Sequence, residues 1–564
     1  MNSLVTQHLP LLADSPKGVQ KLRELILELA VRGKLVPQDP NDEPASELLK
    51  RIAEEKARLV AEGKIKKQKL LAEIKDEEKP FELPDGWEWV RLGQIIDFVN
   101  GFAFSSSDFG SDGIGVVKIG DIKNNRLTPE TMSRVDKSVI ETLDDKLRVE
   151  SGDLVIAMSG ATTGKLGFNT SDEVYYINQR VGKIVPIIIN SQFVHIDLST
   201  KIVANLNKSF GSAIPNLSTE QINAISIALP PLPEQHRIVA KVDELMALCD
   251  RLEARQADAE SAHTQLVKTL LDSLTQAQDA RDFAAHWQRL AEHFHSLFTT
   301  ESSIDALKQS LLQLAVMGKL VPQDPNDEPA SELLKRIAEE KARLVAEGKI
   351  KKQKPLAEIK DEEKPFELPE GWEWVRLHSA IDVRDGTHDS PKEATGANTY
   401  PLVTSKDFQH GEINFKTSKN ISEYDYIEIS KRSCVERFDI LFSMIGGNIG
   451  NQVIVNTDKK FGIKNVALFK YYNKKCTEPF FIKLITENLA LFLQKVAVGG
   501  AQPFVGLGTL RGIVMALPPI AEQHRIVAKV DQLMALCDQL KAQLSQARQL
   551  QTHLADALVE QAVA

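Results

Sequence analysis

Apolar residues recur at helical spacing from the first turns of the chain. Leu22, Leu25, Ile26, Leu29 and Ala30 share one face of a helix predicted over Val19–Arg32, with Gly33 as its stop. Met1–Lys17 reads as a loose leader before it. PQDPNDEP at Pro37–Pro44 is a turn-rich connector. A second helix follows from Ser46 through Glu62, with Leu48, Leu49, Ile52 and Leu59 as its apolar contribution among charges. The pattern then shortens to β-like runs at Gly115–Ile119, Leu154–Met158, Ile184–Ile189 and Ile225–Leu229, separated by Gly, Asn, Asp and Ser. A helical stretch, Phe193–Leu206, intervenes.

From Glu234 the period changes again. Ile238, Val242, Leu245, Cys249 and Leu252 are spaced 4, 3, 4 and 3, and Leu266, Leu270 and Leu274 resume the stripe. That is a heptad seam, the mark of a helix packed lengthwise on another. Ile526, Val530, Leu533, Cys537, Leu540 and Leu544 form a second seam. Two such seams in one chain suit an antiparallel pair. Phe283–Phe298 reads as a further helix without a counterpart, and Ile304–Met317 repeats the Val19–Arg32 helix.

The seams belong to a larger repeat. Gly33–Lys69 reappears letter for letter at Gly318–Lys354, and GWEWVRL stands at both Gly86–Leu92 and Gly371–Leu377. The shift of 285 residues is domain-sized, so a short-repeat solenoid is excluded. ALPPLPEQHRIV from Ala228 returns as ALPPIAEQHRIV from Ala516. Each half reads frame, variable block, frame, and the order of motifs is that of a circle cut once. The expectation is a pseudo-two-fold object with neighbouring termini. Two variable blocks would be held apart on a helical spacer.

Composition narrows the function. The chain has 564 residues, 42% of them hydrophobic, enough for several packed domains. Its net charge of -9 argues against holding nucleic acid by bulk positive charge. The balance is local: −4 over Pro84–Ala228 and +2 over Pro369–Ala516. GKIKKQK, at Gly63–Lys69, is a basic run that fits either a solvated helix end or a DNA-backbone contact. The four cysteines form no CxxC pair, and Cys249 and Cys537 lie on the seams as buried thiols, which suits a reducing cytoplasm. The N-terminus lacks the pattern of a signal peptide, and no apolar run has the ~20 residues of a membrane span.

The two blocks share a frame but not their polar content. VKIGD (Val117–Asp121) aligns with VTSKD (Val403–Asp407), DLVIAMSGATTG (Asp153–Gly164) with DILFSMIGGNIG (Asp439–Gly450), and GSAIP (Gly211–Pro215) with GGAQP (Gly499–Pro503). Ser159, Thr162, Thr163 and Lys165 in one stand where Ile445, Asn448, Ile449 and Asn451 stand in the other. One scaffold with different polar side chains is what two different base readers need. Further candidates are Phe102, Phe104, Ser105, Ser106, Lys118, Asn178, Gln179 and Arg180 in the first block. In the second they are Thr387, His388, Ser405, Lys406, Lys464, Asn465 and Gln502. Taken singly, each reads better as an ordinary turn or strand-end residue, and only the set carries the reading. Enzyme signatures fail. SGATTGKL has three residues between its glycines where a phosphate loop needs four, and Leu166 stands where Ser or Thr would hold magnesium. No HExxH, GxGxxG after a strand, or Asn-Pro-Pro-aromatic tetrapeptide occurs. Glu234, His236, Glu522 and His524 read as helix-start residues. A structural coiled-coil adaptor and a self-contained nuclease or methyltransferase are the rival classes.

The chain resembles the specificity (S) subunits of type I restriction-modification enzymes. The likeness rests on LPPLPEQHRIV and LPPIAEQHRIV closing each block, GKLVPQD, GWEWVRL, the two DLVIAMSGATTG-like loops, and DGTHDSP at Asp385–Pro391. It implies an α+β chain with two mixed α/β target recognition domains, separated by long antiparallel coiled-coil helices in a pseudo-two-fold repeat. The corresponding segments are a helical repeat region at 1–83, recognition domains at 84–233 and 369–521, a central spacer at 234–368, and a spacer helix at 522–564. The family likeness implies binding to double-stranded DNA with a split, asymmetric site, and no membrane. It implies two methyltransferase (modification) subunits that use S-adenosylmethionine. Restriction/translocase subunits would use ATP and Mg. No cofactor or catalysis is implied for this chain, and its place is the cytoplasm of a bacterium or archaeon.

Overall fold

The Trp-containing stretch common to both halves becomes the first strand of each domain. The computed structural model describes residues 12–13, 15–208, 216–498 and 503–563. They fall into two units, Met1–Asp258 with Ala547–Ala564, and Ala259–Gln546.

In the first unit, α1 (Gly18–Val31) and α2 (Ala45–Ala61) precede the strands. α1 buries Val19, Leu22, Leu25, Ile26 and Leu29, the predicted stripe. Then come β1 (Glu88–Arg91), β2 (Ile96–Asn100), β3 (Ile114–Val117), β4 (Leu154–Ala157), β5 (Leu166–Phe168), β6 (Tyr175–Ile177), β7 (Val181–Pro186), α3 (Ser191–Lys208) and β8 (Ser226–Leu229). β1 and β8 pair antiparallel, with Trp89 opposite Ala228, and so bring the two ends of the domain together. One sheet has the order β2, β7, β4, β5, extended by Arg126–Leu127 and Ile122–Lys123. A second contains β3 beside β6, which run parallel, with short strands on both sides. β4 is apolar without alternation because both its faces are covered. Leu154 and Ile156 join the core under α1 and α3, while Val155 and Ala157 join a second core with Val117 and Ile177.

The second unit repeats this scheme. α4 (Leu232–Thr275) runs into it from the first, followed by α5 (Ala280–Glu292), α6 (Glu301–Val316) and α7 (Ala330–Ala346). The strands are β9 (Glu373–Arg376), β10 (Ile381–Asp385), β11 (Thr399–Val403), β12 (Ile440–Ser443), β13 (Gln452–Ile454), β14 (Gly462–Ile463), β15 (Val466–Tyr471) and β16 (Val514–Leu517). Helix α8 (Glu423–Ser433) lies between β11 and β12 in sequence, and α9 (Pro479–Asn488) follows β15. The order β10, β15, β12, β13 matches that of the first domain, β11 and β14 are parallel, and Trp374 faces Ala516. α10 (Ile520–Val563) ends the chain.

Each unit contains the head of one long helix and the tail of the other. Ile238, Val242, Leu245 and Cys249 share a core with α1 and with Ala555 and Ala562. Ile526, Val530, Leu533 and Cys537 share one with α6 and with Val267, Leu271 and Leu274. The short helices also supply the ion pairs: Arg23 to Asp250 at 2.5 Å, and Lys541 to Asp305 at 3.0 Å. Lys21 reaches Asp556 at 2.5 Å, so the chain end does return to α1.

Several expectations need correction. Leu266 is half exposed, and Val267 and Leu271 carry the buried stripe instead, because the seam shifts by one position where its partner changes. Leu12 and Ala13, within the supposed loose leader, are buried, and Gln256 Nε2 donates to Ala13 O at 2.9 Å. Phe283–Phe298 is broken at His293 into α5 and a short turn, Phe294–Leu297. The strand expected at Ile184–Ile189 is β7, which starts at Val181 and stops at Pro186. Among the described residues, no helix is long and apolar enough to cross a membrane.

Candidate nucleic-acid interfaces

In each domain the sheets bring one set of strand ends together. β2, β3, β4 and β6 all finish at the edge where β7 begins, because Asn100 pairs with Gly182, Ala157 with Val181, and β3 runs parallel to β6. The loops leaving these ends carry Phe102, Lys118, Ser159 and Asn178. Phe102 N donates to Ile177 O at 2.9 Å, and Asn178 N to Val117 O at 3.1 Å. A Cβ on Gly101 would lie 2.0 Å from Asn178 O, so only glycine lets these loops cross this closely. The second domain repeats the crossing: Thr387 N donates to Ile463 O at 2.9 Å and Lys464 N to Val403 O at 2.9 Å. There Gly386 stands in the tight place, its Cβ position 2.4 Å from Ile463 O.

What decorates this frame differs between the domains. The first presents an aromatic group. Phe102 is 40% exposed and packs edge-on to Phe104 at 5.1 Å, which leans on Phe109 at 6.0 Å. Lys118 Nζ lies 3.8 Å over the Phe109 ring and donates to Ser133 Oγ at 2.8 Å. The ammonium is therefore aimed by a ring face and a hydroxyl, and no carboxylate pairs with it among the described residues. Ser159 Oγ and Thr162 Oγ1 are buried with no hydrogen-bond partner among the described residues. Two such hydroxyls cost about 1–3 kcal/mol each until something pairs with them. Thr163 is spent locally: it is buried and donates to Gly160 O at 2.7 Å. Ser105, Ser106, Lys165, Gln179 and Arg180 are exposed at the same edge.

The second domain presents a polar chain instead. His388 Nε2 lies 3.1 Å from Asp385 Oδ2, and its Nδ1 lies 3.2 Å from the Asn465 side chain. Arg432, from α8, clamps Asp385 with contacts of 2.5–2.8 Å. Lys464 Nζ donates to Ser390 Oγ. Lys406, Asn448 and Asn451 are exposed and Ser405 is half-buried on neighbouring loops. Gln502 lies outside the described residues, as do most of the GSAIP and GGAQP segments. Asp385 shows in the sequence only as the start of DGTHDSP, and Arg432, Phe109 and Ser133 carry no signal there. Arg432 lies 47 residues from its carboxylate, and no local pattern announces such a contact.

A family model described as the type I restriction modification DNA specificity domain matches residues 84–260 and 369–547. The chain belongs to this family. It is the specificity subunit type, with two recognition domains of the same kind in one chain. It is 41% identical to the type I restriction enzyme EcoAI specificity subunit of Escherichia coli, over 97% of this chain and 94% of the relative. To the EcoEI specificity subunit of Escherichia coli it is 39% identical, with the same coverage. A chain solved in work on complex assembly and conformational transition of the type I restriction-modification system is 18% identical, with a TM-score of 0.49 over 86% of this chain and 99% of that one.

The specificity-domain matches span the EQHR segments as well as the strand ends. There the side chains are structural. Glu234 Oε2 accepts from Trp87 Nε1 at 3.0 Å and Oε1 from Gln38 Nε2 at 3.1 Å. Glu522 does the same with Trp372 at 3.0 Å and Gln323 at 3.0 Å. Burial raises both carboxyls above the ordinary value, and the two donors offset part of that rise. His236 Nδ1 lies 3.1 Å from Asn190 Nδ2, and His524 Nδ1 3.0 Å from Glu478 Oε2.

Proposed function

We propose that this specificity subunit reads a split, asymmetric site in duplex DNA. Each recognition domain takes one half of the site through its strand-end loops. The reading is supported by one observation above the rest: the same crossing of strand ends in both domains carries unlike side chains, an aromatic–lysine group in one and an Arg–Asp–His–Asn chain in the other. A common frame positions the loops, and differing side chains meet different base edges in the major groove. In this proposal the candidate residues named above are the base and backbone contacts, and the long helices set the gap between the half-sites. The chain delivers the site to two modification subunits that bind S-adenosylmethionine and methylate adenine. Restriction subunits add ATP- and Mg-dependent translocation and cleavage, and the chain itself catalyses nothing. Its setting is the cytoplasm of its host. The segment boundaries of this scheme are 1–83, 84–233, 234–368, 369–521 and 522–564.

The test is adenine-methylation mapping of host DNA with and without this chain, its modification partner being present. A split motif with a fixed gap that depends on the chain is the expected result. Exchange of Trp87–Ala228 for the block of another specificity subunit is expected to change one half of that motif only. Unchanged methylation with and without the chain, in the presence of an active partner, rules the reading out.

A further inference from the structure

β2 ends at Asn100 and β10 at Asp385, the same place in the two domains. Asn100 Oδ1 accepts from Thr219 Oγ1 at 2.9 Å. Asp385 meets Arg432 instead. That arginine comes from the eleven residues of α8, where the first domain has only the four-residue turn Lys137–Ile140. Arg432 Nε and Nη2 donate to Asp385 Oδ1 at 2.8 and 2.5 Å, and Nη2 reaches Oδ2 at 2.5 Å. Asp385 is buried to 8% exposure, so the guanidinium holds it in one orientation.

The consequence passes through His388 to Asn465. Asp385 Oδ2 lies 3.1 Å from His388 Nε2, and a carboxylate only accepts, so Nε2 carries the proton. When Nε2 alone carries a proton, Nδ1 is bare, and the Asn465 side-chain oxygen position lies 3.2 Å from it. With the amide oxygen in that place, two acceptors would face each other. A half-turn about Cβ–Cγ leaves the outline unchanged and gives Nδ1 the N–H that lies trans to the oxygen. The outer edge of the amide then holds Oδ1 and the N–H cis to it. That pair accepts from N6 and donates to N7 of adenine in the major groove. The Asn465 backbone is fixed as well: its N–H donates to Thr387 O at 3.1 Å, and its φ of 56° is one that asparagine tolerates.

We propose that Asn465 reads an adenine in the second half-site, and that Arg432, Asp385 and His388 are positioning residues that fix which edge of its amide faces the DNA. This rests on the strand-end loops being the base-reading surface.

The test uses the full chain assembled with its modification partner, and maps methylated sites for wild type and variants. Wild type is expected to show, besides the methylated adenine itself, an invariant adenine at one position of the second half-site. Asn465→Asp sets an acceptor against N7, and is expected to lower modification of sites with that adenine by about 5- to 150-fold relative to other bases there. His388→Ala and Arg432→Leu free the amide to turn, and are expected to relax that one position. Arg432→Lys is expected to restore part of the preference. The first half-site should read unchanged in all four. A purely structural role would lower methylation evenly over all bases, and that even loss would overturn the assignment. So would variants that keep every position of the wild-type motif. A wild-type complex with no split motif dependent on this chain would instead overturn the reading of the surface on which the assignment stands.

Discussion

Trp87 Nε1 donates to Glu234 Oε2 at 3.0 Å, and Trp372 Nε1 to Glu522 Oε2 at 3.0 Å. The indole belongs to the turn leading into a domain's first strand, and the carboxylate to the helix that leaves the domain. One hydrogen bond therefore ties the start of each domain to its end. Gln38 and Gln323 bring the identical GKLVPQD segments to the same carboxylates. Trp87→Phe and Trp372→Phe keep most of the packing but leave a buried carboxylate oxygen short of a donor. Each is expected to cost about 1–3 kcal/mol, by a similar amount in the two units, as read by thermal unfolding of the single variants.

The same carboxyls impose a pH dependence. Their raised folded values mean that the native state binds the proton more tightly. Their contribution to stability is present below the ordinary value of 4.5 and declines as pH rises through the folded value. Lys56 works in the other direction. It is held against Gly93 O at 2.6 Å and Ile96 O at 2.9 Å, and burial pushes it down to about 8. Between about 8 and the ordinary 10.5 the unfolded chain holds more protons, so this group makes stability rise with pH over that window. Lys56→Met loses two carbonyl contacts and is less stable at every pH, but its stability is expected to lack that rise. Denaturant titrations at several pH values between 8 and 10.5 compare the slopes.

Phe102 can be removed with little harm to the fold, since 40% of it is exposed. Phe102→Ala is expected to change stability by less than about 1 kcal/mol while weakening use of the first half-site. Lys118→Met removes the ammonium over Phe109 and is expected to weaken DNA binding and reduce its salt dependence by about one phosphate contact. Salt titrations of DNA binding by the assembled complex decide the second case, and methylation mapping the first.

On the proposed function, the long helices set the gap in the split site. Lengthening both by four residues adds about 6 Å, and is expected to widen the gap by roughly two base pairs. The half-sites themselves should not change. A complex that still methylates with the original gap would exclude a ruler role for these helices.

Much of the architecture could be read from the chain because its causes are local. The α1 stripe from Leu22 to Leu29 and the four seam residues Ile238, Val242, Leu245 and Cys249 are buried where their spacing places them, since a helix repeats its face every three or four residues. The doubled frame showed in the repeated GWEWVRL and EQHR motifs, and the apolar LVIA run at β4 marked a strand covered on both sides. Where the seam changed partner, spacing alone chose Leu266 over its buried neighbour Val267. Periodicity reports that a face exists but not what it meets. The candidate recognition surfaces depended on tertiary structure in the same way. Phe102, Lys118, Ser159 and Asn178 are scattered over 77 residues and share an edge only because β2, β3, β4 and β6 end together. The clamp of Arg432 on Asp385 spans 47 residues and requires α8 to pack beside the end of β10. Sequence determined the elements and their doubling, because turns, caps and apolar stripes act over a few residues. Only the folded sheets decided which side chains stand together, because strand pairing joins residues whose separation along the chain carries no local signal.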